Sequence, residues 1–409
     1  TRRELLASLG YSSLSESEIE QYHNYYANIM QDFRQTVKET LASRLKGQQN
    51  VNEFNARDKS TTKSSVLDYS NMLMTFNKSQ VQPDYNKKIA RLDVRTSNES
   101  KTSPPETMFN NSSNGLGATE IRMMSKDGSN DNLAASLMSG IRMEALWSSW
   151  YNRGFEEFDG ERIFYNYGTK DKPVDGKFLS SLVPLGGSTR IMEFTSSDRS
   201  WSRSLHKKLS RETASYKHLT GLNCRAFSVR LEDELSLTIF QPLIGNHASP
   251  SDSTTGKLNK LAEELFANYD NRDSAATTTN LAEVLEILNG PSSAVALGYL
   301  RMPRFKFEND ISLKSPLQSI GLKRIFDRDN SELSNIIMQS TSNLTFIDNI
   351  THKATIESTK SGINSVAGEE KRRLPTCSRD SSITVIENPF MFLIRYKKLP
   401  LFVGQLTNL

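Results

Sequence analysis

The chain has 409 residues, 51 Lys and Arg against 47 Asp and Glu, a formal net charge of +4, and 36% hydrophobic and 24% charged residues. So even a balance lacks the basic cluster that a nucleic-acid face needs, and no nucleic-acid partner is expected. No stretch of eighteen apolar residues occurs, so neither a spanning helix nor a membrane partner is expected.

Residues 1–10 predict a helix: Leu5, Leu6 and Leu9 make one apolar stripe, and Gly10 takes the left-handed conformation that closes it. Ser15 with Glu18 three residues on is a capping box for a second helix reaching to about Lys46. Residues 47–65 are polar and read as a surface insertion. Asn71–Phe76 reads as a strand, followed by a helix around Asp84. Residues 95–115, rich in Ser, Asn and Pro, read as a second loop insertion. Strands are expected between Leu133 and Tyr167, while 168–215 carry no clear period. Cys224–Leu231 and Leu235–Phe240 predict two strands around the polar turn Glu232-Asp233-Glu234. Leu258–Phe266 and Asn280–Leu288 have helical period. Ala294–Leu300, Phe305–Phe307, Phe390–Ile394 and Pro400–Val403 read as strands. Helices early and strands late predict an α+β fold.

The motifs of familiar enzymes are absent: no phosphate loop, no dinucleotide fingerprint, no His-Glu-x-x-His and no Gly-x-Ser-x-Gly. Five histidines (His23, His206, His218, His247, His352) are scattered without ligand spacing. Cys224 and Cys377 also lack metal-ligand spacing, and one bridge or two free thiols fits the sequence equally. A nucleophile and base made of Cys377 and His352 would need a folded site, yet Cys377 lies in a polar, basic stretch. Neither enzymatic activity, nor a cofactor, nor a metal is expected. The basic run Lys371-Arg372-Arg373 before Leu374-Pro375 reads either as a solvated loop or as an extended bait for a protease.

From Leu300 onward the features follow one another as in the C-terminal third of a serpin. Met302-Pro-Arg-Phe-Lys-Phe-Glu308 resembles that family's Leu-Pro-Arg-Phe-Lys strand, and Gln318–Phe326 its Leu-Gly-hydrophobic helix ending in Phe. Glu332–Asn335 resembles the Ala-Asp-Leu-Ser-Gly segment, and Asn349–Ala354 the strand leading to the hinge, with His352, Lys353 and Ala354 matching. Gly362 takes the place of the hinge glycine. Asn388–Arg395 and Leu401–Asn408 resemble the two closing strands. Upstream, Cys224–Pro242 and Val81–Tyr85 resemble the family more thinly. Thr1–Gly10 resembles the end of its third helix, which implies that two helices and an early strand are lacking.

This resemblance to the serpins implies an α+β fold with a large mixed main sheet, two further sheets, surrounding helices and an exposed reactive loop at about 360–385. It implies one metastable domain over 1–409 and an inhibitor of serine-type, or alternatively cysteine-type, endopeptidases. Such an inhibitor works as a suicide substrate: the protease cleaves the loop, and the loop inserts as a new strand into the main sheet. The implied partner is a target protease, trypsin-like if the basic residues decide, and the implied state is a monomer. Loop length counted from Gly362 puts the cleaved bond at Thr376–Cys377; basic specificity favours Arg373 or Arg379. The implied hinge comprises Lys360, Gly362, Ile363, Ser365, Ala367 and Gly368, with His352 in the strand leading to it.

The resemblance implies that the residue after the hinge glycine faces inward, so alternation along an inserted strand would send Ile363, Ser365, Ala367, Glu369, Lys371 and Arg373 to the buried face, where the last three oppose insertion by their charge. Lys360 stands where inhibitory members carry Glu, and Ile363 where they carry Thr or Ser, so a non-inhibitory binding, carrier or structural serpin is the alternative. Acceptor triplets at Asn77, Asn98, Asn110, Asn111, Asn343 and Asn349 fit an extracellular, secreted protein; a cytoplasmic one is the alternative. Trp147, Trp150 and Trp201 read as core anchors.

Overall fold

The computed structural model describes residues 2–8, 10–29, 31–32, 35, 66–76, 80–90, 94–99, 135–147, 155–158, 163–169, 172–181, 215–219, 224–243, 254–266, 281–282, 284–285, 299–338, 346–363 and 383–409. They fall into two compact units. One takes Thr1–Lys38, Val66–Met143 and Phe307–Ile356, the other Glu39–Ser65, Glu144–Lys306 and Glu357–Leu409.

In the first unit the helix Arg2–Ser8 ends as its sequence requires. Gly10 has φ 73°, its N–H reaches Ala7 O at 3.0 Å, and Tyr11 N–H reaches Leu6 O at 2.7 Å. Ser15 and Glu18 form the capping box: Ser15 N donates to the Glu18 carboxylate at 2.7 Å, and Glu18 N to Ser15 Oγ at 3.4 Å. The described part of that helix covers 16–29 with residues 31, 32 and 35; its expected end near Lys46 lies outside the described residues. Glu4 accepts the N–H groups of Arg324 and Lys323, at 2.8 and 3.2 Å, and so caps the 3-10 turn Arg324–Phe326. The Arg324 bond, foremost, holds the Glu4 carboxyl below its ordinary value.

The main sheet is a six-stranded assembly. Its path runs Lys306–Ser312, Ile347–Glu357, Ala135–Leu146, Val66–Phe76 and Val94–Glu99, with Gly362–Ile363 paired to the end of Ala135–Leu146. Val66–Phe76 and Val94–Glu99 are parallel, and the helix Pro83–Ala90 connects them, with Pro at its first position. The insertion expected at 95–115 therefore begins as strand up to Glu99. The one expected at 47–65 lies outside the described residues. Leu73, Ile89, Ala135, Leu322, Ile325, Phe326, Leu333, Ile337 and Ile347 make this unit's core. Gln318–Phe326 is not one helix: Lys314–Ser319 ends before Gly321, whose φ of 104° only glycine takes readily.

In the second unit, Ser215–Leu219, Cys224–Arg230, Leu235–Pro242, Phe390–Tyr396 and Leu399–Leu406 form an antiparallel five-stranded sheet. The turn between its second and third strands puts Asp233 and Glu234 at φ 56° and 61°, the mirror-image turn that suits strand twist. Strand alternation sorts its two faces. Met391 and Leu393 join Cys224, Ala226 and Phe240 under the helix Thr254–Phe266, which supplies Leu258, Leu261 and Leu265. Phe392 and Phe390 meet Phe305 instead, with ring centroids 5.2 and 6.0 Å apart. All three phenylalanines are buried, as expected. A four-stranded sheet runs Ile383–Val385, Tyr299–Pro303, Phe178–Ser181 and Phe155–Phe158. Among the described residues no helix is long and apolar enough to cross a membrane.

Candidate functional site: the hinge turn

The strand Ile347–Glu357 leads into a tight reversal at 358–363. Thr359 N donates to Gly362 O at 2.8 Å, Thr359 Oγ1 to the same oxygen at 3.0 Å, and Gly362 N to Thr359 O at 3.3 Å. Ser358 and Ile363 bridge the two arms, and Gly362–Ile363 run antiparallel to Leu146 and Ala145. Gly362 is required by contact. A Cβ built there would stand 1.8 Å from Ala145 O and 2.8 Å from Leu146 Cα. Ile363 is fully buried.

Every carbonyl of the turn's crown is taken. Trp147 Nε1 donates to Thr359 O at 3.0 Å, Phe155 N to Lys360 O at 3.1 Å, and Trp147 N to Ser361 O at 3.0 Å. The Trp147 and Phe155 rings stand 4.7 Å apart. At the base, Ser358 N donates to Phe305 O and Phe305 N to Ser358 Oγ, both at 2.9 Å. Beside that pair, Arg304 donates from Nη2 to Glu357 at 2.6 Å and from Nη1 to Glu157 at 2.9 Å. The hydrogen bond to Glu357, first, holds the guanidinium still more firmly in its charged form.

Upstream, Ile347–Glu357 and Ala135–Leu146 pair directly in parallel, from Ile347 with Ala135 to Thr355 with Arg142. The seam between them is closed. His352 lies in it opposite Ser139, half-buried, and burial lowers its imidazole pKa. Downstream, Ile383–Val385 runs parallel to Tyr299–Arg301, and Ile386 N donates to Arg301 O at 2.9 Å. Ile363, just before residues 364–382, thus pairs in one sheet and Ile383, just after them, in another. Ser365, Ala367, Gly368, Arg373, Thr376, Cys377 and Arg379 fall in that segment and lie outside the described residues. Of the candidate residues, Lys360, Gly362 and Ile363 meet in the turn, and His352 lies ten residues before Gly362 in the chain.

The arrangement supplies strand-pairing groups rather than reacting ones. No three described His, Cys, Asp or Glu residues are grouped to hold a metal. Cys224 is buried, and burial first, then Glu264, pushes its thiol up to about 12, so it is no nucleophile at neutral pH. Sequence reasoning missed Arg304, Glu157, Glu357 and Ser358 as parts of this site, and took Trp147 for a core anchor alone. Arg304 does lie in a motif that carried the resemblance, which is the one signal the sequence offered.

The family model for serpins, described as serine protease inhibitors, matches residues 187–409. Leukocyte elastase inhibitor of Xenopus laevis is 26% identical over 201 residues, covering 48% of this chain and 46% of that protein. Serpin B10 of Papio anubis is 34% identical over 116 residues, 27% of each. The chain thus spans less than half the length of these curated relatives. Among solved structures, Serpin48 of the insect Tenebrio molitor superposes with a TM-score of 0.52 at 15% identity, over 86% of this chain and 78% of that one. Thyroxine-binding globulin in complex with thyroxine gives 0.52 at 14% identity, over 89% and 81%. The mixed sheets and helices define an α+β fold of serpin type. The chain belongs to the serpin family.

Proposed function

We propose that the chain is a protease inhibitor that works as a suicide substrate, with residues 364–382 as the bait in a single serpin-type domain. The observation that carries this reading is the hinge turn: Gly362 and Ile363 are already antiparallel to the end of Ala135–Leu146. An inserting strand would exchange the parallel seam for two antiparallel ladders, the better hydrogen-bonded arrangement. The anchored strand Ile383–Val385 holds the far end of the bait, so cleavage between the anchors frees the hinge side to move. The target is a serine-type protease, trypsin-like if Arg373 or Arg379 is cleaved; the count from Gly362 gives Thr376–Cys377 instead. Incubation with trypsin and with an elastase decides both points. An SDS-stable complex is expected, and the new N-terminus of the released fragment identifies the bond; turnover of every protease without a complex would refute the reading.

The second reading is a non-inhibitory serpin. It is favoured by Lys360 at the turn and by Glu369, Lys371 and Arg373, which alternation would bury on insertion. An unchanged melting temperature after cleavage would select it. For the compartment we propose the cytoplasmic alternative over secretion, because the matching relatives are clade B serpins, a largely intracellular group. The triplet at Asn349 lends secretion little support. Asn349 Oδ1 accepts from Ser312 Oγ at 2.7 Å and Ile350 N at 2.9 Å, and its Nδ2 donates to Thr351 Oγ1 at 3.3 Å, so the side chain is engaged within the sheet. A glycosidase-sensitive form from a secreting host would overturn this choice.

A further inference from the structure

We propose that Arg304 is the latch of the hinge turn, a positioning residue that governs how readily the turn moves when the bait becomes a strand. The consequence for inhibition rests on the reading above; the latch itself rests on geometry. Arg304 follows Pro303, and its own N–H is fixed on Lys177 O at 2.7 Å, so the guanidinium starts from an anchored backbone. Its two terminal nitrogens serve different carboxylates: Nη1 holds Glu157 at 2.9 Å, and Nη2 holds Glu357 at 2.6 Å. Glu157 belongs to the strand whose Phe155 N–H grips Lys360 O, and Glu357 immediately precedes Ser358, which is paired with Phe305. One side chain therefore ties both flanks of the turn.

Arginine suits this task because its planar fork addresses two acceptors at once, whereas a lysine ammonium is a point charge. Without Arg304 the two carboxylates would lose the cation they share, and the segments that the fork joins would no longer be tied through it. The side chains of Arg304, Glu157 and Glu357 are 34%, 52% and 28% exposed, so salt reaches the triad. The backbone hydrogen bonds beside it do not share that sensitivity. A latch and a mere packing element thus differ in their response to ionic strength.

The test is amide hydrogen exchange on the full chain, read at Phe155 and Ser358, at low and at high salt. Arg304→Gln should speed exchange at both amides about five-fold at low salt, the effect of roughly 1 kcal/mol. Wild type should approach the variant's rate as salt rises, while the variant stays flat. Arg304→Lys should recover only part of the protection. Should Arg304→Gln fail to fold, Glu157→Gln keeps the Glu357 bond and should give a smaller acceleration of the same salt-sensitive kind. Unchanged exchange in these variants, or one salt response shared by wild type and variants, would overturn the latch. Trypsin supplies the second readout. If wild type traps it, Arg304→Gln should change the number of inhibitor molecules consumed per trapped protease, and an unchanged number overturns the governing role. A wild type that traps nothing refutes the inhibitory reading instead, and the exchange data still decide the latch.

Discussion

Two sheets of this molecule are built to opposite ends. Along Phe390–Tyr396 every residue is buried, and so is every residue of its neighbour Leu235–Pro242. Along Ile347–Glu357 only Ile347 and Ile356 are buried, and all between them is half-exposed. The antiparallel sheet stacks Phe227, Ile239, Phe392 and Gly404 across four strands. The seam instead sets His352 against Ser139 and Lys353 against Gly140, in a parallel ladder, which is slightly the weaker kind per residue. One sheet gains from every contact that keeps it shut, while the other has a half-exposed strand along its seam. On the proposed reading, in which the main sheet admits a new strand, both are needed: a fixed body and a seam that opens at low cost.

The strongest challenge to that contrast is Phe392→Ala. The ring stacks on Phe305, and its Cζ stands 2.4 Å from where a Cβ on Gly404 would be, so the residue opposite has no side chain to fill the space. Truncation should cost about 3–5 kcal/mol of global stability, read by denaturant unfolding. A loss under 1 kcal/mol would mean that this sheet is as yielding as the seam. Gly362→Ala should come second, at about 1–3 kcal/mol. Its Cβ cannot coexist with Ala145 O, so the turn must shift and the Trp147 and Phe155 N–H groups must lose their acceptors. The expected signature is local: faster exchange at Trp147 and Phe155, with the amides of Leu237–Ile239 unchanged. Equal acceleration in both places would erase the distinction between a hinge and a body.

How much of this was legible in the sequence follows from distance along the chain. The closure at Gly10 and the box at Ser15 and Glu18 are decided within a few residues, and both could be read. Phe305, Phe390 and Phe392 could be read because alternation and the family pattern agree. Val94–Glu99 could not. Its Val-Arg-Thr-Ser-Asn-Glu has a loop's composition and is strand because Val66–Phe76 lies beside it. Phe178–Ser181 escaped because four residues are too few to display a period, and the strand exists through its pairing with Met302 and Glu157. At the site, Gly362 was legible from its motif. The fork of Arg304 was not, since its partners lie 147 and 53 residues away, and neither was the Trp147 bond to Thr359, 212 residues on. Nothing local marks such pairs.

The smallest expected effect is the one that separates the two sheets most cleanly. His352 is half-buried in the seam, and desolvation lowers its pKa from the ordinary value. The folded state therefore binds a proton less readily than the unfolded chain, and stability rises with pH through this group. Its contribution is fully present above the unfolded value of about 6.5. It is lost as pH falls from there toward the lower folded value, because an imidazolium must then be accommodated opposite Ser139. The loss should be local to the seam. Between neutral and mildly acid buffer, exchange at Ile350–Thr355, corrected for the intrinsic rate, should accelerate relative to Leu237–Ile239, whose strand contains no histidine. His352→Gln should flatten that relative change while leaving the neutral-pH rates close to wild type. An equal acid response in the two sheets, or one that survives the substitution, would assign the pH sensitivity to groups elsewhere and leave the seam's ease of opening to its half-exposed, parallel pairing alone.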